Sequence, residues 1–255
     1  MTEPEPAIDV AFLPGEIRST ELAVVVDVLR ASTTIAAALS AGYSRVLCVD
    51  DAKRAEDLRE PGRALAGERD CRPIEGFDYG NSPGGLDPGE GRELVITTSN
   101  GSPAILAAAA EADEVVVGSL VNLDAVIEAI APASHVTIVC CGTAGRVALE
   151  DLYGAGRIVA RLQGERSDGA RAAERLAGAY PEAYEALAES ADAAVLRRTD
   201  QEDDIAFCAR ESVIEVVPRV SDVSDGIATV SNWVYAENDK QAVATAQASD
   251  AQGKA

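Results

Sequence analysis

The chain has 255 residues, 47% of them hydrophobic, which is enough to bury a full core in one large domain or two small ones and excludes disorder of the whole chain. Its 43 acidic residues outnumber its 22 Lys and Arg residues, so the formal net charge is −21 and no basic stripe exists to bind nucleic acid. No uninterrupted apolar stretch reaches about 18 residues and Met1 is followed by acidic residues, so we expect a cytoplasmic protein with neither a membrane span nor a signal peptide.

Short apolar runs alternate with Ala-rich helical stretches along the first part of the chain. The runs that predict strands are IDVAFL (8–13), LAVVVDV (22–28), RVLCVD (45–50), RALAG (63–67), ELVITT (93–98), EVVVGSL (114–120) and VTIVCC (136–141). Strands that are apolar on both faces and separated by helices indicate a sheet covered on two sides. The predicted fold class is therefore α/β, a three-layer α/β/α sandwich with a mostly parallel or mixed sheet.

After Leu162 the pattern becomes helical up to about residue 212, and one last strand is predicted over residues 213–220. We interpret these residues as a helical C-terminal addition to the motif-bearing part (8–162), within one domain of residues 1–237. The tail, residues 238–255, lacks apolar periodicity, and we expect it to be disordered. A homodimer is the ordinary expectation for a sheet protein of this size.

The acidic residues are scattered over the predicted helices rather than gathered in a tail, and only three of the cations are Lys. Two interpretations are open. The acids form a partner-binding surface, or they adapt the protein to a high-salt cytoplasm, where carboxylates maintain solubility and screening weakens their repulsion. The scatter favours the second interpretation.

The turn after the second predicted strand, DVLRASTT, combines Asp27 and Arg30 with the hydroxyls of Ser32, Thr33 and Thr34. In a parallel α/β sheet, ligands bind beyond the carboxyl ends of the strands, and helix N-termini attract anions. Asp27 follows a run of apolar residues, where an unpaired charge would be costly. We therefore expect either a metal ion or Arg30 to be its partner.

Three further turns carry polar residues at the same predicted edge. They are the Gly-rich loop 67–84 with Glu68 and Asp78, the helix start TTSNGSP with Asn100 and Gly101, and the segment CCGTAGRVALED with Gly142, Thr143, Glu150 and Asp151. Ser, Thr and Asn before a helix are often only N-caps, but four such turns together favour an anion site. Carboxylates beside a phosphate need a cation between them, so these acids favour bound Mg²⁺.

The five cysteines predict neither a disulfide framework nor a zinc site, because their number is odd, no CxxC spacing occurs and His135 is the only histidine. His135 stands at the start of a predicted strand, at the opposite edge from the anion site, so we expect it on the surface. The segment CCGTAGR matches a cysteine-phosphatase pattern, with Cys140 as nucleophile and Arg146 as phosphate ligand. The competing interpretation is that Cys140 is a small buried residue of its strand.

At these motifs the chain resembles the 2-phosphosulfolactate phosphatase family of coenzyme M biosynthesis. The matching segments, in order, are DVLRASTTIAAALSAG, LAGERDCRPIEGFDYGNSP, TTSNGSPAILAA, GSLVNLDAV and CCGTAGRVALEDLYGAG, and they cover about residues 24–160. The resemblance implies a Mg²⁺-dependent phosphatase with an α/β sandwich. Its implied reaction is hydrolysis of (R)-2-phospho-3-sulfolactate, or of a related phosphorylated 2-hydroxy acid, to the free hydroxy acid and phosphate. Ser99 and Cys141 replace a Thr and a small residue common in the family, and neither change removes a charged group.

From the matched motifs and the polar turns together, we expect catalytic roles for Asp27, Arg30 and Glu68, with Asp27, Glu68 and Asp151 as the ligands of Mg²⁺. The expected substrate-binding residues are Ser32, Thr33, Thr34, Arg69, Asn81, Ser82, Asn100, Gly101, Gly142 and Thr143. Arg69 or Arg72 is expected to hold the substrate's carboxylate or sulfonate, since these anions need partners other than the metal. A non-catalytic anion-binding protein on the same scaffold is the alternative from another class.

Overall fold

A computed structural model describes residues 7–233 of the chain. In this range ten strands are present: β1 (Ile8–Ala11), β2 (Thr20–Val26), β3 (Arg45–Cys48), β4 (Arg63–Arg69), β5 (Arg72–Pro73), β6 (Glu93–Thr97), β7 (Ala112–Gly118), β8 (Val136–Cys140), β9 (Pro218–Ser224) and β10 (Ile227–Asn232). Each of the seven strands predicted before residue 142 is present, at slightly different bounds. The mixture of strands and helices confirms the predicted α/β class.

Nine α-helices cover the described residues between and after these strands. They are α1 (Ala31–Ser40), α2 (Ala52–Asp57), α3 (Gly101–Glu111), α4 (Leu123–Ile130), α5 (Leu149–Val159), α6 (Asp168–Gly178), α7 (Ala183–Ala188), α8 (Ala191–Arg198) and α9 (Asp203–Cys208). Single-turn 3₁₀ helices occur at Pro14–Glu16, Pro83–Gly85 and Leu120–Asn122. None of the helices within residues 7–233 has the length and apolarity needed to cross a bilayer.

The ten strands form one mixed sheet in the order β1-β8-β2-β7-β9-β10-β3-β6-β4-β5. Strands β1, β8, β2 and β7 make one parallel block, and β3, β6 and β4 make a second. The antiparallel hairpin β9–β10 joins the two blocks, pairing with β7 on one side and β3 on the other. The predicted final strand at 213–220 is therefore corrected: residues 213–217 are not in a strand, and two strands follow them at the centre of the sheet.

Helices cover both faces of the sheet, and the runs of apolar residues explain why. Strand β2 is buried along Leu22–Val26, so each face of this strand needs a cover. On one face, apolar residues of α1 and α3 pack against both parallel blocks in a single cluster. On the other face, helices α4–α9 cover the first block and α2 covers the second.

The C-terminal helices α6–α9 pack against the motif-bearing part instead of standing apart from it. Ser167 and Ser190 cap α6 and α8 by accepting hydrogen bonds from Ala170 N and Ala193 N. The buried apolar residues of helices α6–α9 belong to the same cluster as those of β2 and β8. This packing brings α8 and α9 beside the turn that follows β2. The predicted disordered tail, 238–255, lies outside the described residues.

Candidate functional site

A cavity of about 310 Å³ lies where strands β2, β4, β6 and β8 end. Helix α8 closes one side with Asp192 and Val195. The remaining wall comes from residues at or just after the four strand ends: Asp27, Leu29, Arg30, Glu68, Asp70, Cys71, Asn81, Ser99, Asn100, Thr143 and Ala144. The four polar turns predicted from the sequence therefore meet at one place, and they contribute Asp27, Arg30, Glu68, Asn81, Asn100 and Thr143 to it.

Local hydrogen bonds hold Asp27 in place directly after the last residue of β2. Its Oδ1 accepts from Ala31 N at 3.1 Å, and its backbone N–H donates to Ser32 Oγ at 2.9 Å. The second carboxylate oxygen, Oδ2, lies against Gly101, where an added Cβ would stand only 2.6 Å away. The lack of a side chain at Gly101 allows the start of α3 to lie close to the Asp27 carboxylate, which any side chain at this position would displace.

Arg30 is buried and pairs with Asp204 of α9 rather than with Asp27. Its Nη1 donates to Asp204 Oδ2 and to Gln201 Oε1, each at 2.5 Å, while its Nη2 has no hydrogen-bond partner. Asn81, only 4% exposed, also has an unpartnered atom, Oδ1. Buried polar atoms are nearly always hydrogen-bonded, so an unpartnered donor and an unpartnered acceptor on residues lining one cavity indicate a polar ligand there.

Glu68 is fixed by backbone N–H groups on both sides of the cavity. Its Oε1 accepts from Ser99 N at 2.7 Å, and its Oε2 accepts from Cys71 N at 2.8 Å. Asp192 is held similarly, because its Oδ2 accepts from Thr143 Oγ1 at 2.6 Å.

Carboxylates dominate the charge of the cavity. With Asp27 and Asp70, the residues Glu68 and Asp192 make four lining carboxylates, against the single guanidinium of Arg30. The pKa of Asp27 is raised to about 7, chiefly by burial; the carboxylates of Asp192 and Glu68 contribute to the rise, and the hydrogen bond from Ala31 opposes it. Three of these carboxylates, Asp27, Glu68 and Asp192, are buried, and this concentration of buried negative charge favours a bound cation.

Behind this wall, burial raises the pKa of Glu150 to about 8, with Asp192 next in importance. Glu150 is 2% exposed and does not line the cavity. It therefore interacts with Asp192 from behind the cavity wall.

The donor set fits Mg²⁺ shared with a substrate. Among residues 7–233, no three His, Cys, Asp or Glu side chains form a ready-made metal group. Mg²⁺, however, usually takes only one or two protein carboxylates and completes its shell with water and phosphate oxygens. Asp27 and Glu68 supply such carboxylates, and the unpartnered Asn81 Oδ1 supplies a neutral oxygen in the same cavity.

The hydroxyls of Ser32, Thr33 and Thr34 are not in the cavity, so their expected role as phosphate ligands is corrected. Ser32 Oγ donates to Val25 O, Thr33 Oγ1 donates to Val28 O, and Thr34 Oγ1 donates to Asn81 O. All three side chains are fully buried. Their role is to build the turn, and through Thr34 they hold the backbone of Asn81.

Asp151 and Gly142 connect two strand ends and do not line the cavity. Asp151 Oδ1 accepts from Val28 N and its Oδ2 accepts from Gly142 N, both at 2.9 Å. Burial raises the pKa of Asp151 well above its usual range, with Asp27 and Glu150 adding to the effect. Asp151 is 2% exposed and lies outside the cavity lining, and its two oxygens bind the backbones of the turns after β2 and β8. Asp151 therefore connects these turns, and its position does not support the expected role as a Mg²⁺ ligand.

Several other predicted residues also lie outside the cavity. Arg69 does not line the cavity, and its guanidinium donates to Asp50 O and Thr97 Oγ1. Ser82 donates to Asp204 Oδ1 at 2.6 Å. Asp78 and Arg72 are exposed. The expectation that Arg69 or Arg72 holds a second substrate anion therefore has no support from their positions.

The placement of Cys140 argues against a cysteine nucleophile. Cys140 is fully buried in the apolar core of β8, and burial raises the pKa of its thiol well above the ordinary value. Arg146, the proposed phosphate ligand of that mechanism, is exposed. Within the described part of the chain, Cys140 thus fits its alternative interpretation as a small core residue.

His135 is exposed just before β8, as predicted, beside a larger open groove of about 700 Å³. The start of β2, with Thr20, also lines this groove. None of the unpartnered buried polar atoms belongs to the described residues of this lining. The smaller cavity therefore remains the better candidate site.

Sequence reasoning missed four polar residues of the site region: Asp70, Asp192, Gln201 and Asp204. The last three belong to the helical C-terminal part, where the acids look like ordinary residues of a helix's first turn. No local signal distinguishes them from the many exposed acids of this chain.

Comparison with known proteins agrees with these motifs. A family model described as 2-phosphosulpholactate phosphatase matches residues 11–223. A protein of Thermotoga petrophila named "Probable 2-phosphosulfolactate phosphatase" is 38% identical over 215 residues, covering 83% of this chain and 94% of the relative. A protein of the same name from Deinococcus radiodurans is 40% identical over 208 residues, covering 78% and 87%. The "2-phosphosulfolactate phosphatase" of Methanothermobacter thermautotrophicus is 36% identical over 198 residues, covering 77% and 85%.

Proposed function

The chain belongs to the 2-phosphosulfolactate phosphatase family, and from this premise we propose that it is a Mg²⁺-dependent phosphatase that hydrolyses (R)-2-phospho-3-sulfolactate to 3-sulfolactate and phosphate. The observation that carries the proposal is the pair of unpartnered atoms, Arg30 Nη2 and Asn81 Oδ1, in a cavity lined by four carboxylates. A phosphate dianion accompanied by a divalent cation satisfies both atoms and the surplus negative charge.

In this proposal Arg30 binds the phosphoryl group through Nη2, the only one of its two terminal nitrogens that the protein leaves free. A guanidinium held in one plane presents a fixed donor to phosphate, which favours recognition by direction as well as by charge. Asn81 and Asn100 add amide groups at the same cavity. Positioning and charge neutralisation of this kind supply most of the acceleration in phosphoryl transfer.

Asp27 and Glu68 are the proposed protein ligands of the metal, with Asn81 Oδ1 as a further oxygen donor. When bound, Mg²⁺ supplies neutralisation of the phosphate oxygens during the transfer. Glu68 is held in place by Ser99 N and Cys71 N, so its carboxylate needs little reorganisation on ligand binding. Asp192, which was not expected from the sequence, completes the acidic wall.

The size of the cavity supports a small ester. A volume of about 310 Å³ stands at the lower end of ligand sites, and the apolar contacts come from Leu29, Ala144 and Val195. A phosphorylated three-carbon acid fits this volume better than a nucleotide would. Another phosphorylated 2-hydroxy acid, such as a phospholactate, is the runner-up substrate, because the cavity residues match a phosphate and a metal better than they match a sulfonate.

The test is phosphate release by the purified protein from phosphosulfolactate, phospholactate and a phosphorylated 3-hydroxy acid, each with Mg²⁺ and with EDTA. We expect turnover only with Mg²⁺ and the highest kcat/KM for phosphosulfolactate. Preference for phospholactate would move the assignment to the runner-up. Absence of turnover from every ester, with a folded protein by circular dichroism, would favour the non-catalytic anion-binding alternative.

The remaining expectations are proposals of the same kind. The net charge of −21 supports the proposal that the protein is adapted to a high-salt cytoplasm, where screening weakens repulsion among its surface carboxylates. A homodimer is proposed on general grounds of symmetry and size. Sedimentation of the protein at low and high KCl tests the dimer, because a monomer at every salt concentration would contradict it.

A further inference from the structure

One buried carboxylate connects the two residues that carry unpartnered atoms in the cavity. Asp204, 6% exposed, lies in the first turn of α9. Its Oδ2 accepts from Arg30 Nη1 at 2.5 Å, and its Oδ1 accepts from Ser82 Oγ at 2.6 Å. Ser82 follows Asn81 directly, so Asp204 contacts both the arginine and the segment that presents the asparagine.

The contact also determines the orientation of the guanidinium. Nη1 of Arg30 meets two acceptors, Asp204 Oδ2 and Gln201 Oε1, and the side chain of Arg30 is 1% exposed. Since the guanidinium is planar, holding Nη1 from two directions sets the direction of Nη2 as well. Gln201 is itself anchored, because its Nε2 donates to the backbone oxygen of Cys71 on the cavity wall at 2.7 Å.

We infer that Asp204 is a positioning residue for phosphate binding: it holds Arg30 so that Arg30 Nη2 faces the phosphoryl group, and through Ser82 it fixes the adjoining segment of the cavity wall. The inference rests on the proposed phosphate role of Arg30. It assigns the helical C-terminal part a function in the site, since α9 supplies a charge that the motif-bearing part lacks at this point.

The ordinary alternative is a buried ion pair that serves stability alone. Replacing one partner of such a pair leaves the other charge buried and unpaired, which destabilises the fold whatever the site does. Stability therefore cannot separate the two explanations. Affinity for phosphate can, because only the positioning role requires the effect of Asp204 to pass through Arg30.

The probe is inorganic phosphate, titrated into the full-length protein by calorimetry. Asp204→Asn keeps the size of the side chain and removes the charge that holds Nη1. We expect the Kd for phosphate to rise about 10- to 100-fold, as for loss of a hydrogen bond to a charged group. The matched control is Asp203→Asn, which removes an exposed carboxylate from the same turn of the same helix and is expected to leave the Kd within about twofold.

A double-mutant cycle tests whether Asp204 acts through Arg30. Adding Asp204→Asn to Arg30→Ala is expected to raise the Kd little further, whereas independent roles give additive effects. Additive effects would overturn the inference.

Gln201→Leu provides a second route because Gln201 is only half-buried. Its loss removes the other acceptor of Nη1, and we expect about a two- to tenfold rise in Kd. Unchanged affinity in folded Asp204→Asn, or in Gln201→Leu where Asp204→Asn does not fold, contradicts the positioning role.

The phosphate titration is independent of turnover. A wild-type protein that hydrolyses none of the esters but binds phosphate through Asp204 and Arg30 would refute the proposed function and uphold this inference. Conversely, an active wild-type enzyme whose Asp204→Asn variant binds phosphate normally would uphold the proposed function and refute this inference.

Discussion

Gly101 provides the sharpest test of the geometry around Asp27. A Cβ at this position would lie 2.4 Å from Ala31 Cβ and 2.6 Å from Asp27 Oδ2, and contacts under 3.0 Å are essentially never made by Cβ atoms. In Gly101→Ala the carboxylate must therefore retreat by about 0.4 Å and helix α1 by about 0.6 Å. The substitution acts on the first residue of α3 and reaches the end of β2.

Two opposing effects determine the stability of Gly101→Ala. Replacing a helical Gly by Ala normally raises the free energy of unfolding by about 0.5–1 kcal/mol, whereas overpacking a close-packed site lowers it by about 1–3 kcal/mol. The clash involves a neighbouring helix and a buried carboxylate, not the end of a flexible side chain, so overpacking prevails. We expect a net loss of about 1–2 kcal/mol, or a fall in Tm of about 2–8 °C for a chain of this size.

The control is Gly178→Ala, at the end of α6. An added Cβ there meets nothing within 4 Å, so the same substitution should stabilise by about 0.4–1 kcal/mol. Thermal unfolding followed by circular dichroism compares the two variants, and phosphate release measures activity. A misplacement of about 1 Å costs about 100-fold in rate, so a retreat of Asp27 by about 0.4 Å should lower the rate by less than that. Gly101→Ala with wild-type Tm and full activity would refute the close packing of Gly101 against Asp27.

Four further outcomes are expected. Asp27→Asn should lose most activity together with its Mg²⁺ dependence, whereas Arg30→Ala should mainly raise KM; steady-state kinetics over a Mg²⁺ series separates the two. Asp27 and Glu150 have folded pKa values of about 7 and about 8, above their ordinary 3.8 and 4.5, so the folded protein binds more protons than the unfolded chain. Metal-free stability should therefore fall as the pH rises from about 4 to 8, and Mg²⁺ should raise Tm more at pH 8 than at pH 5; a flat profile, or an unchanged one in Glu150→Gln, contradicts this. Cys140→Ala should keep its activity, and an inactive but folded variant would restore the cysteine mechanism. Tm should rise with KCl, because screening relieves repulsion at a net charge of −21.

The strands could be predicted because their signal is local. The runs around Val24, Val95 and Val116 are apolar on both faces, and all three are fully buried in a sheet covered by helices. The hairpin β9–β10 could not be placed in the same way, since its residues are largely half-buried or exposed and carry no comparable run. Its position between the two parallel blocks follows from pairing with β7 and β3, which lie far away in the sequence.

The polar turns were predicted as a group, and six of their predicted residues line the cavity, but other predicted residues do not. Ser32, Thr33 and Thr34 look like phosphate ligands because hydroxyls before a helix satisfy anions as well as backbone groups. In the structure they use backbone oxygens, as hydroxyls at a helix start commonly do. Asp151 gives a similar lesson, since its carboxylate has the right chemistry for a metal but lies outside the cavity, where it binds the backbone N–H groups of two turns.

By itself the sequence determined the α/β class, the four strand ends at which the site forms, and the family, because each depends on periodicity or motifs within short segments. Only the tertiary structure decided which side chains are free to bind a ligand. Arg30 and Asp204 are 174 positions apart, and their contact leaves one nitrogen of Arg30 without a partner. Whether a polar atom is satisfied depends on what packing brings beside it and on how far water is excluded, and neither quantity is encoded in the residues next to it along the chain.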